Sequence, residues 1–213
     1  MKQKLFLFLL FAKICAANAQ IDSSFYKQVG EQISRTNKMV QSARSLDSTG
    51  RNGSLDSSIY KVADSIDKMH PVMFLTTVAE MLGSDHLNEA AFLYYTGRIR
   101  FGYYKAANPK YSASDDGALF ASLHSMIGEY MDRYLRANIN NYIAILQKSL
   151  DWCTLYDSPF FPKKNNTVKY NAQLKGIRSL IKDLSLNKDI YNVKWKAEED
   201  LYRMQMDSLL QRK

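Results

Sequence analysis

Residues 87–106 read LNEAAFLYYTGRIRFGYYKA, and this segment is the strongest indication of the protein's architecture. Read as one helix, it carries apolar or small side chains on nearly every face: Leu87, Ala90, Ala91, Phe92, Tyr94, Tyr95, Ile99, Phe101 and Tyr103. A helix that is apolar on most faces is usually surrounded by other helices. We therefore expect residues 87–106 to form the central helix of a helical domain.

The rest of the chain also has the pattern of helices. Glycine and proline are scarce, and they lie between segments in which apolar residues recur every three or four positions. The sequence predicts an all-α fold, a single domain of seven or eight antiparallel helices arranged as a bundle or a short helical repeat. The expected ranges are 23–44, 55–68, 71–82, 87–106, 115–136, 138–153, 167–184 and 188–210. The stripe expected to be buried on the last helix is Ile190, Val193, Ala197, Leu201 and Met204.

The first residues have the pattern of an export signal. Lys2 and Lys4 precede a short apolar run, and Ala17-Asn18-Ala19 is the small-x-small pattern of a cleavage site. We expect residues 1–19 to be removed and the mature protein to be periplasmic or secreted. A lipid-modified Cys15 is the alternative, but Ile14 stands where a lipoprotein signal needs a small residue.

Two regions are predicted after the signal peptide. Residues 20–68 form a polar helical N-terminal region with a flexible loop at 45–54, and residues 69–213 form the main helical domain. No later apolar run approaches the roughly 20 residues of a membrane span, so we expect no stable membrane insertion. The net charge of +8 comes from basic residues dispersed among acids. Nucleic-acid binding, which needs a basic stripe, is not expected.

One helical hairpin resembles a known repeat. In residues 71–106, Phe74, Ala90, Tyr94 and Gly97 fall where a tetratricopeptide repeat has large, small, aromatic and small residues. Thr77 and Val78 stand where that repeat has leucine and glycine. The resemblance covers one unit of a family whose members are interaction modules, and it implies a pair of packed helices.

Residues that could do catalysis are few. The three histidines have no spacing that places two on one helix face, and we expect no metal or other cofactor. Cys153 falls on an apolar stripe and should be buried and inert. Glu129 and Asp132 form the one helix-face carboxylate pair near aromatics, although Glu129 also has the spacing of an ion pair with Arg133.

Arg98 is the leading candidate for a binding residue. The predicted central helix places it in a row with Tyr94 and Phe101, so we expect its guanidinium to be buried and paired, or to receive an anion in a groove. Arg100 is expected on the polar side of the same helix. Because tyrosine suits both cores and binding surfaces, the candidate binding set is Arg98, Tyr94, Tyr95 and Tyr103.

These observations favour a non-catalytic function. We expect an exported helical binding module for a protein or peptide partner, either a scaffold or an immunity-like inhibitor that neutralises a toxin. The alternative is a small periplasmic enzyme of hydrolase type that uses the Glu129 and Asp132 carboxylates.

Overall fold

The computed structural model describes residues 23–211, and over this range the chain is helical with no strand. Its α-helices are α1 (Ser23–Ser48), α2 (Ser58–Ile66), α3 (Val72–Met81), α4 (Leu87–Ala107), α5 (Asp116–Arg136), α6 (Ile139–Leu155), α7 (Thr167–Leu186) and α8 (Lys188–Leu210), with a short 3₁₀ helix at Lys163–Asn165. The all-α prediction is confirmed, and each helix agrees with its expected range to within four residues at either end. The expected signal peptide and its cleavage site lie outside the described residues.

The chain divides into two compact units. The larger unit is Lys38–Glu199, which contains the end of α1, all of α2 and most of α8. The other unit is described over residues 23–37 and 200–211 and consists of the start of α1 and the end of α8. None of the helices in the described range is long and apolar enough to cross a bilayer.

Helix α4 is the centre of the larger unit, as its sequence predicts. Sixteen of its 21 residues are buried. It packs against α3, α6 and α7, and the side chains of Phe92, Tyr94 and Tyr95 are almost fully enclosed. A helix with so few exposed residues cannot show a clean amphipathic pattern, so its near-uniform apolar sequence is the direct consequence of its position.

Helices α3 and α4 form a tight antiparallel hairpin over the segment that resembles a tetratricopeptide unit. A Cβ atom added at Gly97 would lie 2.4 Å from the Cβ atom of Phe74. Glycine at this position therefore allows α3 to approach the backbone of α4. Phe74, Ala90 and Tyr94 are also buried.

The segment between α1 and α2, which the sequence predicts to be a flexible loop, is held by side-chain amides. The Gly53 backbone N–H donates to Asn141 Oδ1 (2.8 Å), and Asn88 Nδ2 donates to the Ser54 carbonyl (2.9 Å). Gly53 has a φ of +66° and lies so close to α6 that a Cβ atom would sit 2.6 Å from the Cβ of Ala144. Only glycine fits both the backbone conformation and the space.

Candidate binding surface on the last helix

The predicted core stripe of α8 faces solvent, and this corrects the sequence interpretation. The exposed fractions are 67% for Ile190, 72% for Val193, 52% for Leu201 and 63% for Met204, and Ala197 between them is exposed as well. Successive members are three or four residues apart, so they lie on one side of a single continuous helix. We call these five residues the α8 stripe.

Within the larger unit, a different face of α8 packs against α5 and α6, so Ile190, Val193 and Ala197 are left exposed. Trp195 lies with its ring centroid 4.8 Å from that of Tyr191 and 6.1 Å from that of Tyr142 on α6. Arg136 on α5 holds the same face, with its guanidinium 5.7 Å from the Trp195 ring and 3.4 Å from Glu198. Aromatic rings bury more area than aliphatic side chains, so the aromatic face docks and the aliphatic face is left outside.

Charged residues border the α8 stripe, with basic residues before Ala197 and acidic residues after it. Lys194 and Lys196 precede Ala197, whereas Glu198 and Asp200 follow it. Lys194, Lys196 and Asp200 are exposed. An apolar strip with a charged rim is the ordinary composition of a protein-binding surface.

Arg98 does not occupy the position predicted from its helical row. It is exposed, and its guanidinium lies over the rings of Tyr94 and Tyr95, 5.5 and 5.1 Å from their centroids. The structure therefore brings these three candidates together, but only Arg98 reaches the surface. The arrangement is a cation held on two aromatic faces.

The candidate tyrosines are core residues rather than the lining of a groove. Tyr94, Tyr95 and Tyr103 are each about 1% exposed. The Tyr94 hydroxyl is hydrogen-bonded to His124 Nδ1 (2.8 Å), and that of Tyr95 to the hydroxyl of Tyr142. Tyr103 lies apart from them, where it donates to the Pro162 carbonyl (2.9 Å). Burial raises the pKa of Tyr94 and of Tyr95 above the usual range.

Arg100, which the sequence places on a polar side, is the buried arginine of α4. It is 2% exposed. Its Nε and Nη2 atoms each donate to one carboxylate oxygen of Asp67 at 2.8 Å, and Nη1 donates to the Tyr170 hydroxyl at 2.8 Å. The prediction of an exposed Arg100 is wrong because Glu89 and Thr96, the polar residues on the same side of the helix, are buried as well.

The Arg100 and Asp67 pair joins four elements of the larger unit. Asp67 directly follows α2, Arg100 lies on α4 and Tyr170 on α7. Trp152 on α6 donates its Nε1–H to Asp67 Oδ2 (3.2 Å). Every strong donor and acceptor in this cluster has a partner, which is typical of a structural ion pair. In the sequence, Asp67 has no lysine or arginine three or four positions away, and this is the signal that could have pointed to a partner on another helix.

The two candidate catalytic carboxylates are each held by an arginine. Glu129 lies 3.2 Å from Arg133, and Asp132 lies 3.7 Å from Arg136, both one helical turn away. Burial raises the pKa of Asp132, although Arg136 and Arg98 attract its charged form. The Glu129 contact is the surface ion pair that its spacing predicts.

Cys153 and His124 both serve in packing. Cys153 is fully buried, as predicted, and burial raises the pKa of its thiol to about 12. His124 stacks between Tyr94 and Phe120. Within residues 23–211, no three His, Cys, Asp or Glu side chains are placed so that they could hold a metal ion.

A pocket of about 330 Å³ lies beside α2, α3 and the start of α4. Ile59, Val62 and Met81 form its apolar wall, and Glu89 lies at its edge. Glu89 Oε1 accepts a hydrogen bond from the Asp56 N–H (2.7 Å), so this carboxylate fastens the loop before α2. The volume is at the lower end of the range for small-molecule sites.

Comparison with known proteins gives no relative: no protein-family model matches the chain, and no curated protein or solved structure shows significant similarity to it.

Proposed function

We propose that this protein is an exported, non-catalytic helical module that binds a protein partner through the α8 stripe. The observation that carries the proposal is the exposure of Ile190, Val193, Leu201 and Met204 along one side of a 23-residue helix. Single exposed apolar residues are common on protein surfaces, but a contiguous row bordered by charge is typical of an interaction site. Scaffold and immunity-like inhibitor are the two roles that such a module would fill.

The chemistry of the described residues supports binding rather than catalysis. The thiol of Cys153 is buried with its pKa raised to about 12, and the helix-face carboxylates Glu129 and Asp132 are ion-paired to arginines. Export to the periplasm or beyond is proposed from the sequence of residues 1–19.

Affinity capture with two matched variants tests the proposal. Val193→Asp adds a negative charge to the α8 stripe, whereas Asn192→Asp adds the same charge to an adjacent exposed position off the stripe. We expect the wild-type chain and Asn192→Asp to retain a protein that Val193→Asp loses, and the purified partner to bind in calorimetry with the same ranking. Identical retention by all three proteins would show that the stripe is not a binding site.

A further inference from the structure

We propose that the partner of the α8 stripe is a second copy of this chain, and that the two α8 helices pair antiparallel across a two-fold axis at Ala197. This inference rests on the proposed function, because it names the occupant of the same surface. It is carried by the symmetry of the stripe and of the charges that border it.

The apolar residues are arranged symmetrically about Ala197. Val193 and Leu201 stand four residues to either side of it, and Ile190 and Met204 stand seven residues to either side. In an antiparallel pair centred on Ala197, residues equally distant from the centre lie at the same level. Every level would then hold exposed aliphatic side chains from both copies, which is the self-complementarity that a two-fold interface requires.

Ala197 suits the centre of such a pair. It is exposed, and its small side chain would let the two backbones approach closely where the helices cross. The two helices diverge on either side of this crossing point. The larger side chains of the stripe would then fill the widening space between them.

The bordering charges select the antiparallel direction. Both bordering residues just before Ala197 are basic, Lys194 and Lys196, and both just after it, Glu198 and Asp200, are acidic. An antiparallel pair places the basic half of each helix against the acidic half of its partner. A parallel pair would place like charges together, which is unfavourable.

The expected dimer is reversible. One helix from each copy contributes, so the buried area is at the small end of the range for specific interfaces. Association should therefore depend on protein concentration, and salt should weaken it because three of the four bordering charges, Lys194, Lys196 and Asp200, are exposed.

Charge-reversed variants of the full secreted chain test the pairing directly in analytical ultracentrifugation. K194E with K196E makes all four bordering positions acidic, and E198K with D200K makes all four basic. We expect the wild-type chain to form dimers on concentration, each double variant to remain monomeric, and an equimolar mixture of the two variants to dimerise. Circular dichroism checks that both variants are folded, since E198K removes the contact with Arg136. Dimerisation of both variants alone, or no association in the mixture, would overturn the proposal.

Cysteine cross-linking tests the relative direction of the two α8 helices and does not depend on the charge variants. Antiparallel pairing predicts that Ala197→Cys forms a disulfide-linked dimer with itself, whereas Val193→Cys does so with Leu201→Cys and not with itself. Efficient self-linking of Val193→Cys would contradict the antiparallel arrangement.

The results also separate this inference from the proposed function. A wild-type chain that is monomeric at every concentration, while Val193→Asp loses a different captured protein, would refute only the second copy as partner. If the chain is monomeric and capture is also unchanged by Val193→Asp, both proposals fail.

Discussion

Arg100 and Arg98 stand two residues apart on one helix and have opposite environments. Arg100 is enclosed and makes a bidentate pair with Asp67, whereas Arg98 lies at the surface over two tyrosine rings. Removing one partner of a buried ion pair leaves an uncompensated charge in a low-dielectric interior, which is far more costly than losing an exposed one. The two residues should therefore respond very differently to substitution.

We predict that Arg100→Ala destabilises the protein by roughly 3–5 kcal/mol, since Asp67 would remain buried without its cation. The melting temperature should fall by roughly 10 °C, because 1 kcal/mol corresponds to about 2–4 °C in a chain of this size. Arg98→Ala is the matched control and should shift the melting temperature by no more than a few degrees. Thermal unfolding followed by circular dichroism measures both, and equal losses would contradict the assigned environments.

The buried thiol of Cys153 predicts loss of stability at alkaline pH. Its pKa is raised from 9.0 to about 12 by burial, so the folded protein holds this proton more tightly than the unfolded chain does. The resulting stabilisation is complete below pH 9 and is lost as the pH rises from 9 towards 12. Burial also raises the pKa of Tyr94 and of Tyr170 above the usual tyrosine range, so these residues add to the decline above pH 10.

Urea unfolding at a series of pH values measures this decline. The urea concentration at the unfolding midpoint should be constant around neutral pH and should fall above pH 9. Just above pH 9, this midpoint should fall less steeply for Cys153→Ala than for the wild-type chain. A midpoint that stays constant up to pH 11 would show that these groups titrate alike in the folded and unfolded states.

At the scale of elements, close contact between α3 and α4 depends on one glycine. We predict that Gly97→Ala destabilises the protein by about 1–3 kcal/mol, because its Cβ would overlap with Phe74 and the helices would have to separate. Gly176→Ala on α7 is the control: nothing lies within 4 Å of its added Cβ, and alanine is the better helix former, so we expect a gain of about 0.5–1 kcal/mol. Chemical denaturation compares the two, and a loss at both positions would contradict the difference in packing.

The existence and the ends of the helices could be predicted from the sequence, because periodic apolar residues and intervening Gly, Pro and Asn are local signals. The buried stripes of α2 and α7 follow from the same patterns: Ile59, Ala63 and Ile66 are buried, as are Tyr170 and Leu184. The burial of Cys153 follows from the same kind of pattern, because the spacing of apolar residues along α6 places it on the buried side of that helix.

What could not be predicted was which face meets a neighbour when a helix has two apolar faces. Helix α8 offers the aliphatic α8 stripe and a separate face with Tyr191 and Trp195, and the sequence pattern alone favours the longer row. The choice depends on what α5 and α6 present, namely Arg136 and Tyr142. The Arg98 and Arg100 environments were exchanged for a similar reason: on a helix that is buried on most sides, the spacing of apolar residues no longer distinguishes buried positions from exposed ones.

At the scale of the whole molecule, α4 is the most deeply buried helix of the larger unit, whereas α8 carries an exposed aliphatic row. Around Arg100, the buried polar side chains are hydrogen-bonded to one another within this unit. The exposed row on α8 is different, because covering it would remove apolar surface from water. In the proposed function, the helical core is the scaffold and α8 presents the surface that a partner covers.

The rate at which a thiol reagent modifies Val193→Cys in the native protein tests this account most directly. In dilute solution we predict rapid reaction at Cys introduced at position 193, while the buried Cys153 of the same molecule stays unreactive until denaturant is added. The rate at position 193 should fall as the protein concentration rises and the stripe becomes covered. Modification as slow as that of Cys153 in dilute solution would mean that the stripe is packed inside the protein, and the central claim would be wrong.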